Sequence, residues 1–222
     1  QHSMNYICSI NRKVSSYLDI NTGKISAGGN FAAFNENWKP VCISLEDLAV
    51  ELGRSAGVCA WHLVEGKRQK NNTGLIQAGM IIVDIDNQAD GKDSDGNKIQ
   101  KQELTPDEAL QLEICKKYLT LGYESPSTTP EWPRFRLIFA LEKPIIDPGF
   151  YQWFTREICK QIPGFDIRAT QCPNLFYGAK DSNAIFSQLG KFIPVEKIDE
   201  AHNVYLSLPK TVNPSESDPE EI

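Results

Sequence analysis

A chain of 222 residues, 41% hydrophobic and 23% charged, has enough apolar content to bury a core as one domain or as two small, intimately packed lobes. No apolar run approaches the roughly 20 residues that span a bilayer and no secretory leader is visible, so a helical membrane protein is excluded and a cytoplasmic, globular chain is expected. The formal charge of −6 argues against a broad nucleic-acid face, but the acids concentrate in residues 90–108 and in the tail NPSESDPEEI; the remainder is nearly neutral, and basic patches at Lys67/Arg68/Lys70 and Arg134/Arg136 can still meet phosphates.

The leading QHSM (1–4) reads as a vector-derived scar. Residues 5–34 mix short β-like runs with the turn signals NTGK and AGGN, which predicts a hairpin. In SLEDLAVELG, Ser44 caps and Leu45, Leu48, Ala49 and Leu52 recur at helical spacing before Gly53, so a helix is expected over 44–53. GVCAWHLV (57–64) reads as one strand, GKRQKNNTG as a loop, and LIQAGMIIVDID (75–86) as a buried strand. A second helix starts at Thr105, with Pro106 at its first position and Glu108 three after the cap, and is expected to run to about residue 122. RFRLIFAL (134–141) is a strand, residues 147–163 are a third helix, and NLFYGA and AIFSQL are late strands. Residues 211–222 read as a disordered acidic linker to a further domain.

Several tempting features carry little chemistry. The six cysteines show no C-x-x-C pair or metal-ligand spacing and read as reduced, mostly buried thiols. His62, beside Trp61 in an apolar strand, reads as a core or edge histidine. DSDGNKI, from Asp93, looks like part of a calcium loop, but aligning Gly96 with the invariant glycine puts Gly91 and Gln102 at ligand positions, so it reads as a polar turn in an insertion.

Three segments can do chemistry. MIIVDIDNQ places Asp84 and Asp86 two apart at a strand end, so both carboxylates face the same way. Their repulsion is costly without a cation between them, and hard divalent ions prefer such oxygen ligands. Phosphatases, metal-dependent glycosyltransferases and nucleotidyltransferases all use Asp-x-Asp, and two surface acids ending a strand is the plainer alternative. In SPSTTPEWPRFRLIFALEKPI, Arg134 and Arg136 share a strand face beyond a Ser/Thr-rich turn, which suits either a phosphate chain or a salt-bridged surface. In GFDIRATQCPNLFYGAK, Asp166 is followed by Arg168 and a Pro-Asn-aromatic segment; taken singly it would be a helix-flanking or ion-paired acid.

Taken in order, these segments resemble the archaeo-eukaryotic primase superfamily, particularly the primase-polymerases of plasmids, phages and mobile elements. The resemblance rests on Asp84-x-Asp86, the 125–129 turn, Asp166, and the flanks GKRQKNN, TPEWPRFRLIFALEKP and PNLFYGAKD, over roughly residues 40–195. It implies an α/β (α+β) catalytic core over 5–210: a small N-terminal lobe at about 5–75, an RNA-recognition-motif-like sheet at about 76–205, and the active site in the cleft between them. Asp84, Asp86 and Asp166 would hold two Mg2+ or Mn2+ ions. Ser127, Thr128, Arg134 and Arg136 would hold the triphosphate, Lys67 and Arg68 phosphate or template, and Asn174 and Tyr177 sugar and base. The implied activity is primer synthesis or extension on a single-stranded DNA template from nucleoside triphosphates, with a helicase or primase-accessory domain downstream. Thr128 stands where relatives carry histidine, which keeps a lapsed nucleotide- or DNA-binding module as the alternative; another Asp-x-Asp phosphoryl or glycosyl transferase leaves the second and third segments unexplained. On this reading, replacing any of the three aspartates ends incorporation and leaves the fold intact, Arg134 and Arg136 govern nucleotide KM, and Thr128→His tightens nucleotide binding.

Overall fold

The structure, a computed structural model, describes residues 4–26 and 31–209, so the AGGN turn, most of QHSM and the acidic tail lie outside the described residues. The chain is α+β, built on a four-stranded and a six-stranded sheet with helices packed against them. The larger sheet forms around Leu75–Ile85 and Phe135–Ile145, which pair antiparallel from Ala78 opposite Ile145 to Ile85 opposite Phe135. Residues 78–83 and 135–141 are buried without interruption. A run apolar on both faces is stable only in a sheet covered on both sides, so these two strands make the centre of the core. Leu121–Glu124 and then Ile185–Ser187 extend one side, Trp61–Leu63 the other, and Phe192–Ile193 runs parallel to Phe135–Ile145. The smaller sheet is Leu175–Phe176, Gly57–Cys59, Tyr6–Asn11 and Lys39–Ile43, in that order and antiparallel throughout.

GVCAWHLV is not one strand. It divides at Ala60, with Gly57–Cys59 in the smaller sheet and Trp61–Leu63 in the larger. The Ala60 carbonyl accepts from the Gly79 N–H at 3.1 Å, which ties the crossing point to the central strand. Strand Tyr6–Asn11 passes so close here that a Cβ on Gly79 would sit 2.2 Å from the Ile7 carbonyl oxygen. Only glycine permits that approach. Gly79→Ala is therefore expected to cost about 1–3 kcal/mol, the range for overpacking, read as a lower denaturant midpoint with unchanged slope; an unshifted midpoint would contradict the close crossing.

The helix over 44–53 is found as Leu45–Gly53, its Ser44 hydroxyl accepting from the Asp47 N–H. Pro148–Cys159 follows the Asp147 cap and buries Phe150, Tyr151, Phe154 and Ile158; the Tyr151 hydroxyl donates to the Met80 carbonyl at 3.0 Å. The expected second helix is shorter and broken: Pro106–Ala109, then Glu113–Tyr118, with residues 121–124 a strand. Leu112 and Leu119 are extended, and Leu121 and Tyr123 are fully buried while a Cβ on the intervening Gly122 would strike the Phe186 ring. Sheet packing overrides helix propensity in this stretch. Helix Val195–Ser207, not anticipated, packs Ile198 into the core and Tyr205 against Phe150. All six cysteines are free thiols and five are buried, and no helix among the described residues is long and apolar enough to cross a membrane. His62 is a partnered edge residue, its Nε2 3.0 Å from the Val41 carbonyl.

Candidate active site

The site forms where the central strand ends. Ile85 is flanked by Phe135 on one edge and by Phe165 on the other, so the segment after helix Pro148–Cys159 is pinned to the strand by backbone pairing. The Asp166 N–H donates to the Asp84 carbonyl at 2.8 Å, and the Asp86 N–H to the Gly164 carbonyl at 3.1 Å. Those bonds bring Asp166 beside the Asp-x-Asp pair. Asn87 secures the exit: fully buried, its side-chain oxygen accepts from the Glu103 and Leu104 N–H groups and its amide donates to the Leu104 and Pro133 carbonyls.

Asp84 stands opposite Arg136 in the sheet, and the Arg136 Nε donates to its Oδ1 at 3.1 Å. Burial pushes the Asp84 carboxyl above the ordinary carboxylate range; Arg136 pulls it down, and Asp86 and Asp166 push it up. Arg136 stays charged, its pKa held above the ordinary arginine value by Tyr123 and Asp84 against the cost of burial. It also donates to the Tyr177 carbonyl at 2.6 Å and lies over the Phe176 and Tyr123 rings. The picture of two arginines side by side and open to a triphosphate is thus corrected for Arg136: it points between the sheets, only 8% exposed, with its hydrogen bonds committed to protein. Arg134 is half-buried, stacked 4.1 Å from the Trp132 ring centre, its Nε 3.5 Å from Asp86 Oδ1 without hydrogen-bond alignment.

Asp86 also meets Lys98 Nζ at 3.3 Å and Arg168 at 3.9 Å. Lys98 comes from the hairpin Gln88–Lys92/Lys98–Gln100, so the insertion read as a polar turn folds against the aspartates. Arg168 grips Asp166 with two side-chain bonds, 3.0 and 3.2 Å, and its backbone N–H donates to the same carboxylate at 2.9 Å. A cleft of about 370 Å³ opens here, lined by Asp86, Asp166, Arg168, Lys98, Lys92 and Gln88 among others.

The remaining expected residues divide. The Ser125 and Ser127 hydroxyls are 3.0 Å apart in a turn beside the arginine strand, but the Thr128 hydroxyl accepts the Arg134 N–H at 2.9 Å. Thr128 is a turn-forming residue in this arrangement. Thr128→Val, which keeps the shape and removes the acceptor, is expected to cost about 1 kcal/mol in chemical denaturation; no loss would mean the hydroxyl is free for a ligand. Asn174 donates to the Arg168 carbonyl, and the Tyr177 ring stacks on Phe34 at 4.8 Å. Lys67 and Arg68 are exposed and contact none of the three aspartates; Arg68 borders a separate groove of about 490 Å³ with Lys70, Asn71, Asn72, Cys172 and Pro173. Sequence reasoning missed Asn87, Trp132, Lys98 and Arg168 as site residues. The Asp-x-Arg spacing at 166–168 was the one local signal available.

Among the described residues no three His, Cys, Asp or Glu side chains form a ready-made metal cage, and each aspartate instead holds an arginine or lysine. The donor chemistry nevertheless fits a hard divalent ion: three oxygen donors, crowded enough that two of them oppose ionisation of the third. No protein-family model matches the chain, and no curated protein sequence does. Among solved structures, the chain is similar to the AEP domain of the cyanophage S-2L primase-polymerase (PrimPol), at 9% identity over 90% of this chain and 89% of that one, with a TM-score of 0.40.

Proposed function

We propose that this protein is a metal-dependent nucleotidyltransferase of the primase-polymerase type, acting on nucleoside triphosphates and a DNA template, with its site at the cleft that opens from Asp86 and Asp166, which is lined by residues 86–168 and, among the described residues, not by the N-terminal lobe. The observation that carries the reading is the convergence of Asp84, Asp86 and Asp166 through the pairing of Phe165 with Ile85. The order of the three motifs in the sequence supports it. These carboxylates would hold Mg2+ or Mn2+, which when bound supplies activation of a primer hydroxyl and neutralisation of the leaving pyrophosphate. Arg136 orients Asp84 and opposes the upward push of burial on its carboxyl. Arg134, braced on Trp132, and Ser127 face the nucleotide phosphates, while Tyr177 on Phe34 offers a ring for the base and Asn174 an amide for the sugar. Arg68 contacts the template from the neighbouring groove, with the exposed Lys67 next to it in the chain.

Extension of a labelled primer on a single-stranded template with Mn2+ and nucleotides tests this directly. Metal-dependent extension is the expected result. One observation favours a second reading: every aspartate of the site already carries a cationic partner, as in a nucleotide- or DNA-binding module without catalysis. Nucleotide or template binding with no extension under Mn2+ would select that reading.

A further inference from the structure

The four cations around the aspartates are held in different ways. Arg136 is enclosed by Tyr123, Phe176 and the Tyr177 carbonyl, and Arg134 is flattened on Trp132. Arg168 and Lys98 have side chains 62% and 48% exposed, and their ion-pair partners are the site's own carboxylates. Exposed pairs of this kind contribute little and exchange cheaply, whereas a buried arginine is held by everything around it. The guanidinium of Arg168 also bridges two acids, gripping Asp166 at 3.0 and 3.2 Å and reaching Asp86 at 3.9 Å.

We propose that Arg168, with Lys98 as a second arm, is an exchangeable cation: it competes with divalent metal for Asp86 and Asp166 and, when displaced, turns to the phosphates of the bound nucleotide. The inference rests on the nucleotidyltransferase reading and adds to it a phosphate-binding residue and an ordered exchange. A carboxylate oxygen that accepts an N–H bond has less lone-pair density for a metal, so the two cations exclude one another at the same acid. Departure of the side chain does not release Asp166, because the Arg168 backbone N–H holds its Oδ1 at 2.9 Å independently. The displaced guanidinium has somewhere to go. Arg168, Lys98 and Lys92 all line the cleft that opens from Asp86 and Asp166, and a planar fork of donors suits phosphate oxygens.

Arg168→Gln separates the two roles, since it retains the backbone bond and removes the charge. Lys92→Gln is the control: Lys92 lines the same cleft and, among the described residues, pairs with no acid of the site. Mn2+ binding is read by electron paramagnetic resonance without nucleotide, and dATP binding by calorimetry at saturating Mn2+ without primer or template. Arg168→Gln is expected to bind Mn2+ about two- to fivefold more tightly, and dATP about tenfold more weakly, as a lost charged contact requires. Lys92→Gln is expected to change Mn2+ affinity less. Opposite signs for metal and nucleotide cannot come from a damaged fold. Equal Mn2+ affinity in wild type and Arg168→Gln, equal tightening in Lys92→Gln, or unchanged dATP affinity overturns the exchange and leaves the nucleotidyltransferase reading standing. Absence of Mn2+ binding in both forms removes that reading, and the exchange with it.

Discussion

Arg136→Met is expected to destabilise the protein by about 3–5 kcal/mol at pH 8, the cost of leaving one member of a buried ion pair without its partner. For a chain of this size that lowers the melting temperature by about 10 °C. Methionine fills much of the side-chain volume, so the loss reports charge and hydrogen bonds more than a cavity. Arg136 supplies bonds to Asp84, to the Tyr177 carbonyl and to the Tyr123 hydroxyl; the last two still bond to each other at 2.9 Å in the variant, so the stranded group is the Asp84 carboxylate. The penalty should depend on pH with a definite sign. The Asp84 carboxyl already lies above its ordinary range, and removing the arginine that opposes this shift raises it further. A folded-state pKa above the unfolded one means that stability is fully present below the unfolded value, near about 3.9, and is lost as pH rises through the folded value. Arg136→Met should therefore approach the wild type near pH 4 and fall away from it toward pH 8. Equal denaturant midpoints at pH 8 would sink the buried pair; an Arg136→Met, Asp84→Leu double variant that recovers much of the loss would establish it. By the same logic Asp84→Ala is not neutral to the fold, contrary to the expectation from sequence, because it orphans Arg136.

Asp166→Asn should do the reverse, removing activity and sparing the fold. Its ion-pair partner Arg168 is exposed, and an asparagine still accepts the Arg168 backbone N–H that shapes the turn. Melting temperature should shift by a few degrees at most. If Asp166 helps hold catalytic metal, however, several kcal/mol of transition-state stabilisation depend on it, and at about 1.4 kcal/mol per decade that is roughly a thousandfold or more in incorporation rate. Single-turnover extension in Mn2+, beside a melting curve, checks both halves. Substantial extension by Asp166→Asn would exclude the three-carboxylate assignment. A comparable loss of stability would make Asp166 a structural residue of the Phe165–Ile85 junction.

What the sequence determined by itself was local. Ser44 capping Leu45–Gly53, Pro106 behind Thr105, Pro148 behind Asp147 and the apolar runs around Val83 and Leu137 are written into neighbouring residues, and the structure has them. The pairing of Asp84 with Asp86 at a strand end is local in the same sense. The repeat of Ile198, Ala201 and Tyr205 was equally legible as a helix and went unread. Contacts from far along the chain decided the rest. The helix expected to run to about residue 122 gives way to a strand, with Leu121 and Tyr123 fully buried beside Phe135–Ile145 and Gly122 tight against the Phe186 ring. GVCAWHLV reads as one apolar strand, but Gly79 lets the smaller sheet approach so closely that its halves join different sheets. Arg134 and Arg136 look equivalent in sequence; one lies on Trp132 at the rim and the other between the sheets, because only the Arg136 position faces Asp84 and Tyr177. Arg168 and Lys98 reach the aspartates from a turn and a hairpin with no local reason to meet them. Backbone propensity acts over a few residues, whereas the energy of a buried charge depends on whatever the whole fold places within a few ångströms of it, and that sum is settled only when the sheets close.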